Sequence, residues 1–266
     1  MRRCLPCALF VLASGSPALA QSFNIEFGPS GSPVPPSTYA AVGWPGTWNT
    51  FSSLPTNVQF PLVGLSGQAT SAYIYNNGGT AFMSSTVSGA SGGDAALMGD
   101  MFLSYNNPTD LCLWVGNLQA GTYQVIMYAM TPNNSSLLSR VRVDNASPGP
   151  TMVGGAWPGH HQLGVTYQTF TLSVPAGGTI AFHSGLASAN IQSGLNGVQF
   201  VRQPDCYANC DLSTSPPALN VLDFSCFLNR FAAGHPYANC DGSTTAPVLN
   251  VLDFSCFLNR FAAGCT

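Results

Sequence analysis

Two short runs of oxygen-bearing side chains could bind metal ions. Each run places polar residues at alternate positions and ends in an aspartate: Asn209, Asp211, Ser213 and Asp223 in the first run, and Asn239, Asp241, Ser243 and Asp253 in the second. Carboxylate, amide and hydroxyl oxygens are the ligands that calcium prefers, and calcium loops commonly offer them at alternate positions. The two runs therefore predict two calcium sites. The alternative is structural, with the same residues forming Asx turns and capping a helix.

The two runs belong to a tandem repeat. Residues 207–234 are repeated as residues 237–264 with four differences. The second half of each copy has apolar residues at positions i, i+3, i+4 and i+7, which predicts an amphipathic helix with Asn250 as N-cap and Gly264 as stop in the second copy. One such unit cannot bury its apolar face, but two can bury theirs together. We therefore predict a small all-α module of two loop–helix units at residues 204–266.

Six of the nine cysteines lie in this module. They are Cys206, Cys210, Cys226, Cys240, Cys256 and Cys265. The equal spacing of the middle four favours a disulfide within each copy, which leaves the first and last to join the ends of the module. Six cysteines can pair in many ways, however, and the sequence does not choose among them. A zinc site is the alternative, although the close C-x-x-C spacing typical of zinc sites does not occur here.

The duplicated unit resembles a dockerin, a module that binds calcium and docks onto a cohesin domain. More narrowly, it resembles the cysteine-bearing dockerin-like repeats of secreted planctomycete-type proteins. The resemblance rests on the duplication, on the N-x-D-x-S start of each loop and on the L-N-x-x-D-F entry of each helix. It implies bound calcium and a cohesin-like or cell-surface partner. Each loop is about three residues longer than the family loop and carries proline near the position of the usual glycine.

The resemblance also implies a docking surface. Four apolar residues would lie where dockerins contact cohesins: Val221, Leu222, Val251 and Leu252. Because both copies carry the same pair, the partner could dock in two orientations related by a half-turn. The alternative is that these residues close the interface between the two repeats.

The start of the chain predicts export. Two arginines follow Met1, an apolar run comes next, and Ala18, Leu19 and Ala20 form a small-x-small pattern. We therefore expect a signal peptide at residues 1–20 and a secreted or cell-surface protein. No later stretch is long and apolar enough to predict a transmembrane helix. Export to an oxidising space favours disulfides and leaves Cys112 as the odd cysteine.

Residues 21–203 predict a β-sandwich or jelly roll, so the whole chain is expected to be mainly β. Short alternations of apolar and polar residues are separated by turn signals rich in glycine, proline and asparagine. The segments 116–125 and 195–200, GNLQAGTYQV and LNGVQF, resemble the galactose-binding-like sandwiches of secreted bacterial proteins. Charged residues make up 6% of the chain, with ten acidic and seven basic side chains, which argues against a nucleic-acid partner.

Three tryptophans are candidates for sugar binding. Trp44, Trp48 and Trp157 lie in segments rich in glycine and proline, so their rings are expected on loops. An exposed aromatic ring beside polar groups can stack on a pyranose while its hydroxyls are hydrogen-bonded. The alternative is that these rings pack under long loops. Trp114 lies in an apolar strand and is predicted to belong to the core.

The sequence gives less support to catalysis than to calcium or sugar binding. Asp94 and Asp100 bracket one loop and could form a hydrolase pair, and the adjacent His160 and His161 could bind a metal. The sequence contains neither a G-x-S-x-G nor an H-E-x-x-H motif. We therefore expect a non-catalytic binding or structural protein attached through the calcium-binding module. The alternatives are a carbohydrate-binding module that binds a polysaccharide, a glycan-acting hydrolase, and a surface-layer component.

Overall fold

The computed structural model describes residues 21–78, 81–104, 110–131, 134–187, 192–203, 206–211, 213, 217–243 and 246–265. The predicted signal peptide lies outside these residues. Their strands, in chain order, are β1 Phe23–Phe27, β2 Trp48–Phe51, β3 Phe60–Val63, β4 Ala69–Asn76, β5 Ala81–Ser84, β6 Asp100–Ser104, β7 Asp110–Leu118, β8 Gly121–Tyr128, β9 Ser139–Val143, β10 Thr151–Val153, β11 Tyr167–Val174, β12 Gly178–Leu186, β13 Ser193–Leu195 and β14 Gly197–Arg202. The α-helices are α1 Gly92–Met98, α2 Val221–Ala232 and α3 Val251–Ala263, and a 3₁₀ helix spans Pro236–Ala238.

Two large sheets enclose the main core. One has the strand order β11-β8-β14-β1-β2 and the other β10-β9-β12-β7-β4-β3. Within the first, β1 pairs antiparallel with β14 and parallel with β2. Buried side chains of both sheets form one cluster, in which Phe182 of β12 meets Phe200 of β14 edge to face at 5.4 Å. The mainly-β prediction is confirmed, with the two sheets packed face to face.

A third sheet, in the order β13-β6-β5, and helix α1 lie beside the sandwich. Strand β6 is buried along its whole length. Leu97 and Met98 at the end of α1 are buried in a second apolar cluster with Tyr128. This arrangement brings Asp100, the first residue of β6, against the end of β1.

The alternation of side chains along each strand determines which residues of β4 and β7 point away from the core. In β7, Leu111, Leu113 and Val115 are fully buried, so the residues between them point to the opposite face of the sheet. In β4, Ala72 and Ile74 point inward in the same way. The outer face of the six-stranded sheet therefore carries the intervening side chains of both strands.

Helices α2 and α3 have the predicted caps. Asn220 and Asn250 each accept a hydrogen bond from the backbone N–H two residues ahead at 2.8 Å, and each forms a capping box with the aspartate three residues ahead. Phe227 and Phe257 stack at 4.2 Å between the helices. The two copies thus bury their apolar faces against each other.

Three disulfides join this part of the chain. They are Cys206–Cys265, Cys210–Cys226 and Cys240–Cys256, which confirms the pairing that the repeat spacing favours. Cys112 carries a free thiol. Disulfides fit an oxidising compartment. Among the described residues, no helix has the length and apolar character needed to cross a membrane.

Candidate functional site

An aromatic platform lies on the outer face of the six-stranded sheet. The rings of Tyr75 on β4 and Trp114 on β7 stack at 4.8 Å with an angle of only 7° between their planes, and Tyr73 lies 6.0 Å from Tyr75. All three side chains are partly exposed. The prediction that Trp114 belongs to the core is wrong, because its neighbours in β7 take the inner positions. Ala181, its partner residue on β12, is too small to cover the indole.

A cluster of charged side chains lies on the same face. The Arg142 guanidinium donates to Asp110 at 3.2 Å and to Asp144, and one of its nitrogens lies 2.9 Å from Nδ1 of His183. The His183 ring also lies 3.3 Å from Asp110 Oδ2 through Nδ1 and 3.3 Å from Asp144 Oδ2 through Nε2. Burial acts to raise the pKa of Asp110, but hydrogen bonds from His183 and Arg142 outweigh it and hold this pKa below its ordinary value.

The free thiol of Cys112 lies beside this cluster, with Sγ 3.6 Å from Nε2 of His183. A Cys–His–Asp arrangement could in principle activate a nucleophile. Here, burial raises the pKa of Cys112 to about 12, and the negative charges of Asp144 and Asp110 add to this shift. The thiol therefore stays protonated at neutral pH, so it lacks the thiolate that nucleophilic catalysis requires.

The structure places the three tryptophans predicted to bind sugar in contact with other side chains. Trp48 lies in β2, is 6% exposed and stacks against Tyr39 at 6.1 Å, so its prediction as an exposed loop ring is wrong. Trp157 is partly exposed, like the platform rings, and meets His161 edge to face at 5.5 Å. The ring of Trp44 is covered by the guanidinium of Arg230, whose central carbon lies 3.6 Å from the ring centroid.

The Trp44–Arg230 contact joins the sandwich to helix α2. Beside it, Nε2 of His235 lies 2.9 Å from the carbonyl oxygen of Gly43. Nδ1 of His235 accepts from the backbone N–H of Tyr237, so Nε2 carries the proton and donates to Gly43. Burial lowers the pKa of His235, which favours this neutral form. Among the described residues, one cation–π contact and one hydrogen bond therefore connect the repeat to the sandwich.

The repeat supplies a matched test of this contact. Arg230 and Arg260 lie over Tyr237 and Tyr207 at 5.0 and 4.9 Å, but Arg230 also covers Trp44. We expect Arg230→Ala to lower the free energy of unfolding by about 1 kcal/mol more than Arg260→Ala, because it alone also removes the cation–π contact with Trp44. Denaturant unfolding of both variants measures the difference, and equal losses would show that the Trp44 contact contributes nothing.

The predicted acidic and histidine candidates fall into different environments. Asp94 accepts a hydrogen bond from the Tyr39 hydroxyl at 2.5 Å, and this hydroxyl lies 2.6 Å from Nε2 of His161. His160 is exposed, so the two adjacent histidines are not used together. Asp100 accepts from the Ser32 hydroxyl at 3.1 Å. Asp94 and Asp100 thus have separate partners, which gives no support to a hydrolase pair.

Sequence reasoning missed the neighbour of Asp100. Glu26 on β1 and Asp100 flank Gly28: a β-carbon on Gly28 would lie 2.7 Å from Glu26 Oε1 and 2.8 Å from the β-carbon of Asp100. Burial raises the pKa of Glu26 to about 8, with a further contribution from the charge of Asp100. The sequence shows no sign of this pairing, because the two acids are far apart in the chain and meet only through packing of β1 against β6.

The predicted calcium ligands converge in both repeat loops. In the first copy, the Asn209 side chain donates to the Ser213 carbonyl at 2.9 Å, and the Asp223 carboxylate accepts from the backbone N–H groups of Asp211 and Asn220 at 3.2 and 2.8 Å. The second copy has the same bonds within about 0.1 Å. Asp223 and Asp253 are completely buried.

The donor set of each loop fits a hard cation. The buried Oδ1 atoms of Asn209 and Asn239 have no hydrogen-bond partner among the residues that the structure describes, and every predicted ligand is an oxygen. Among the described residues, no group of three or more His, Cys, Asp or Glu side chains is placed to hold a metal. The two aspartates of a loop would therefore have to share an ion with the asparagine and serine.

The predicted docking residues are exposed. Val221 and Val251 are each 71% exposed, and Leu222 and Leu252 are each 60% exposed. The alternative that they close the interface between the repeats is therefore wrong. That interface is made instead by the phenylalanines of α2 and α3, and by Tyr207 and Tyr237, whose stacked rings lie 4.8 Å apart.

Neither a protein-family model nor a curated protein matches the chain. Among solved structures, a chain in the crystal structure of the plant peptide RALF23 in complex with FER and LLG2 matches at 13% identity and a TM-score of 0.37, over 74% of this chain and 42% of that chain. The crystal structure of the exo-β-1,3-galactanase from Phanerochaete chrysosporium with galactose matches at 18% identity and a TM-score of 0.26, over 53% of this chain and 32% of that chain. A family 35 carbohydrate-binding module from Clostridium thermocellum matches at 14% identity and a TM-score of 0.26, over 49% of this chain and 92% of that chain. At these TM-scores, the likenesses carry no argument about function.

Proposed function

We propose that this chain is a secreted, non-catalytic glycan-binding protein whose sugar-binding surface is the outer face of the six-stranded sheet. The main support is the parallel, stacked pair of Tyr75 and Trp114, which offers partly exposed aromatic surface next to charged hydrogen-bonding groups. The apolar face of a pyranose stacks on such rings, while its hydroxyls require polar partners at the edge.

The charged cluster supplies those partners. Oδ1 of Asp110 is buried and has no hydrogen-bond partner among the described residues, so its capacity to accept a hydrogen bond is unused there. Arg142 is already paired with two aspartates, so a sugar would not have to desolvate an isolated charge. Two carboxylates face one guanidinium in this cluster, so the cluster offers no excess of positive charge to an anionic sugar. The surface therefore favours a neutral polysaccharide over one that carries uronic acids.

Substitution of the platform tests the proposal. We expect Trp114→Ala to weaken polysaccharide binding about 10- to 100-fold, which corresponds to about 1.4–2.8 kcal/mol, because aromatic anchors contribute much of the binding energy. Glycan-array screening identifies a ligand, and affinity electrophoresis or calorimetry then compares variants. Trp44→Ala and Trp157→Ala are the matched controls and should bind as the parent does. Loss of binding in these controls alone would instead favour the loop tryptophans, and equal binding by Trp114→Ala would contradict the platform.

A second function is favoured by the exposed residues of the repeat. Four large apolar side chains, Val221, Leu222, Val251 and Leu252, are more than half exposed on two copies of one structural unit. Surfaces of this kind mark interaction sites when they are contiguous. With the dockerin resemblance, they support attachment of residues 204–266 to a cohesin-like or cell-surface partner. Calcium held by the two loops would fix the entry of each helix and so orient these side chains.

A further inference from the structure

Two buried carboxyl groups meet at the end of strand β1. Glu26 is 3% exposed and Asp100 is 2% exposed. Both lie against Gly28, where a β-carbon would overlap Glu26 Oε1 and the side chain of Asp100. Glycine is therefore required between them, since any other side chain would displace one of the carboxyl groups.

Each carboxyl group has an unused oxygen. Within the part of the chain that the structure describes, the buried Oε1 of Glu26 and Oδ2 of Asp100 have no hydrogen-bond partner, whereas Oδ1 of Asp100 accepts from the Ser32 hydroxyl. Among the described residues, no arginine or histidine forms an ion pair with either group. Burying carboxylates without a counter-charge or hydrogen bonds is costly. These two oxygens therefore lack the partner that their burial requires.

Two clefts give access to this pair. Asp100 lines a cleft of about 520 Å³, together with residues 29–33 and 84–87. Glu26 lines a neighbouring cleft of about 200 Å³. The loop at residues 29–32 lies in the wall of both clefts. A small ion could therefore reach both carboxyl groups from solvent past this loop.

We infer that Glu26 and Asp100 form a binding site for a divalent cation of the calcium type. Both groups offer only oxygen, the donor that a hard cation prefers. Two carboxylates are too few to complete the coordination of calcium, so Ser32, backbone carbonyls of the 29–32 loop and water would supply the remaining oxygens. The bound ion would tie β1 to β6 and to the loop over the clefts. This site is separate from the repeat loops and does not depend on glycan binding.

Counting bound ions tests the site. The full-length protein is stripped with chelator, dialysed against calcium and analysed for bound metal, and its melting temperature is measured with and without calcium. We expect Glu26→Gln combined with Asp100→Asn to bind one calcium ion fewer per chain than the parent and to lose part of the calcium-dependent rise in melting temperature. Asp94→Asn is the matched control, because Asp94 is also hydrogen-bonded and partly buried, and should bind as many ions as the parent.

Two results would overturn the inference. One is a double variant that binds as many ions as the parent with the same gain in melting temperature. The other is a finding that substitution of the repeat loops removes every calcium ion that the parent binds. Glu26 and Asp100 would then be stabilised by a shared proton instead of an ion. If the double variant does not fold, Asp100→Asn alone serves, since its retained Oδ1 can still accept from Ser32. It should weaken calcium binding at this site at least 10-fold, and unchanged affinity would contradict the site.

Discussion

Replacing Phe257 with alanine is expected to unfold the repeat pair while leaving the sandwich intact. Phe257 is completely buried, stacks on Phe227 at 4.2 Å and lies about 6 Å from the rings of Tyr207, Phe224 and Phe261. A Phe→Ala change in a core costs about 3–5 kcal/mol, since the cavity collapses only partly. The fully enclosed core of this module is small, so that loss is comparable to the whole stability of such a unit.

Hydrogen exchange localises the effect to the repeat. We expect the amides of α2 and α3 to lose protection in Phe257→Ala, while the amides of β7 and β12 keep theirs. The matched control is Leu258→Ala, at the next position of the same helix, where the side chain is 41% exposed and the expected loss is below about 1 kcal/mol. Full protection of α2 and α3 in Phe257→Ala would mean that the disulfides hold the helices without the aromatic core.

Much of the fold follows from local sequence patterns. The apolar spacing that ends in Phe257 and Phe261 fits a helix of 3.6 residues per turn, and Asn250 stands where a cap is required, so α3 could be predicted almost residue by residue. The same holds for strands such as β4 and β8, whose alternation and turn residues mark their ends. Repeat spacing also favoured the correct disulfides, because equivalent cysteines in equivalent units pair in the same way.

The candidate sites depend on information that is not local. Trp48 and Trp114 both lie in strands, and the face on which each ring lies is set by how the sheets stack. A run of apolar neighbours therefore predicted a core position for Trp114, although alternation places it outside. Glu26 and Asp100 meet because β6 packs beside β1, a contact with no signature in either segment. Arg230 and Arg260 have identical neighbours in the repeat, yet only one of them covers a tryptophan of the sandwich.

Substitution of the two loop aspartates should remove two bound calcium ions per chain. Asp223 and Asp253 are buried, and each carboxylate accepts from the N-cap backbone N–H and from a backbone N–H of its own loop. Alanine at both positions would therefore remove the caps as well as the proposed ligands, at about 1 kcal/mol for each cap. Loss of ion binding in that variant alone would not separate the two roles.

Asparagine at both positions separates them. Asp223→Asn with Asp253→Asn keeps one side-chain oxygen that can accept from the N-cap N–H, but it gives up the hydrogen bond from the loop N–H and removes the negative charge that a hard cation requires. We expect this variant to keep the exchange protection of α2 and α3 in chelator, to bind two calcium ions fewer than the parent, and to gain no protection of the loops when calcium is added. Combination with Glu26→Gln and Asp100→Asn should also abolish binding of the remaining calcium ion, because the two kinds of site share no ligand. An asparagine variant that binds the parent's number of ions would show that the loop aspartates serve only as caps, and the attachment role would then have to rest on the exposed valines and leucines alone.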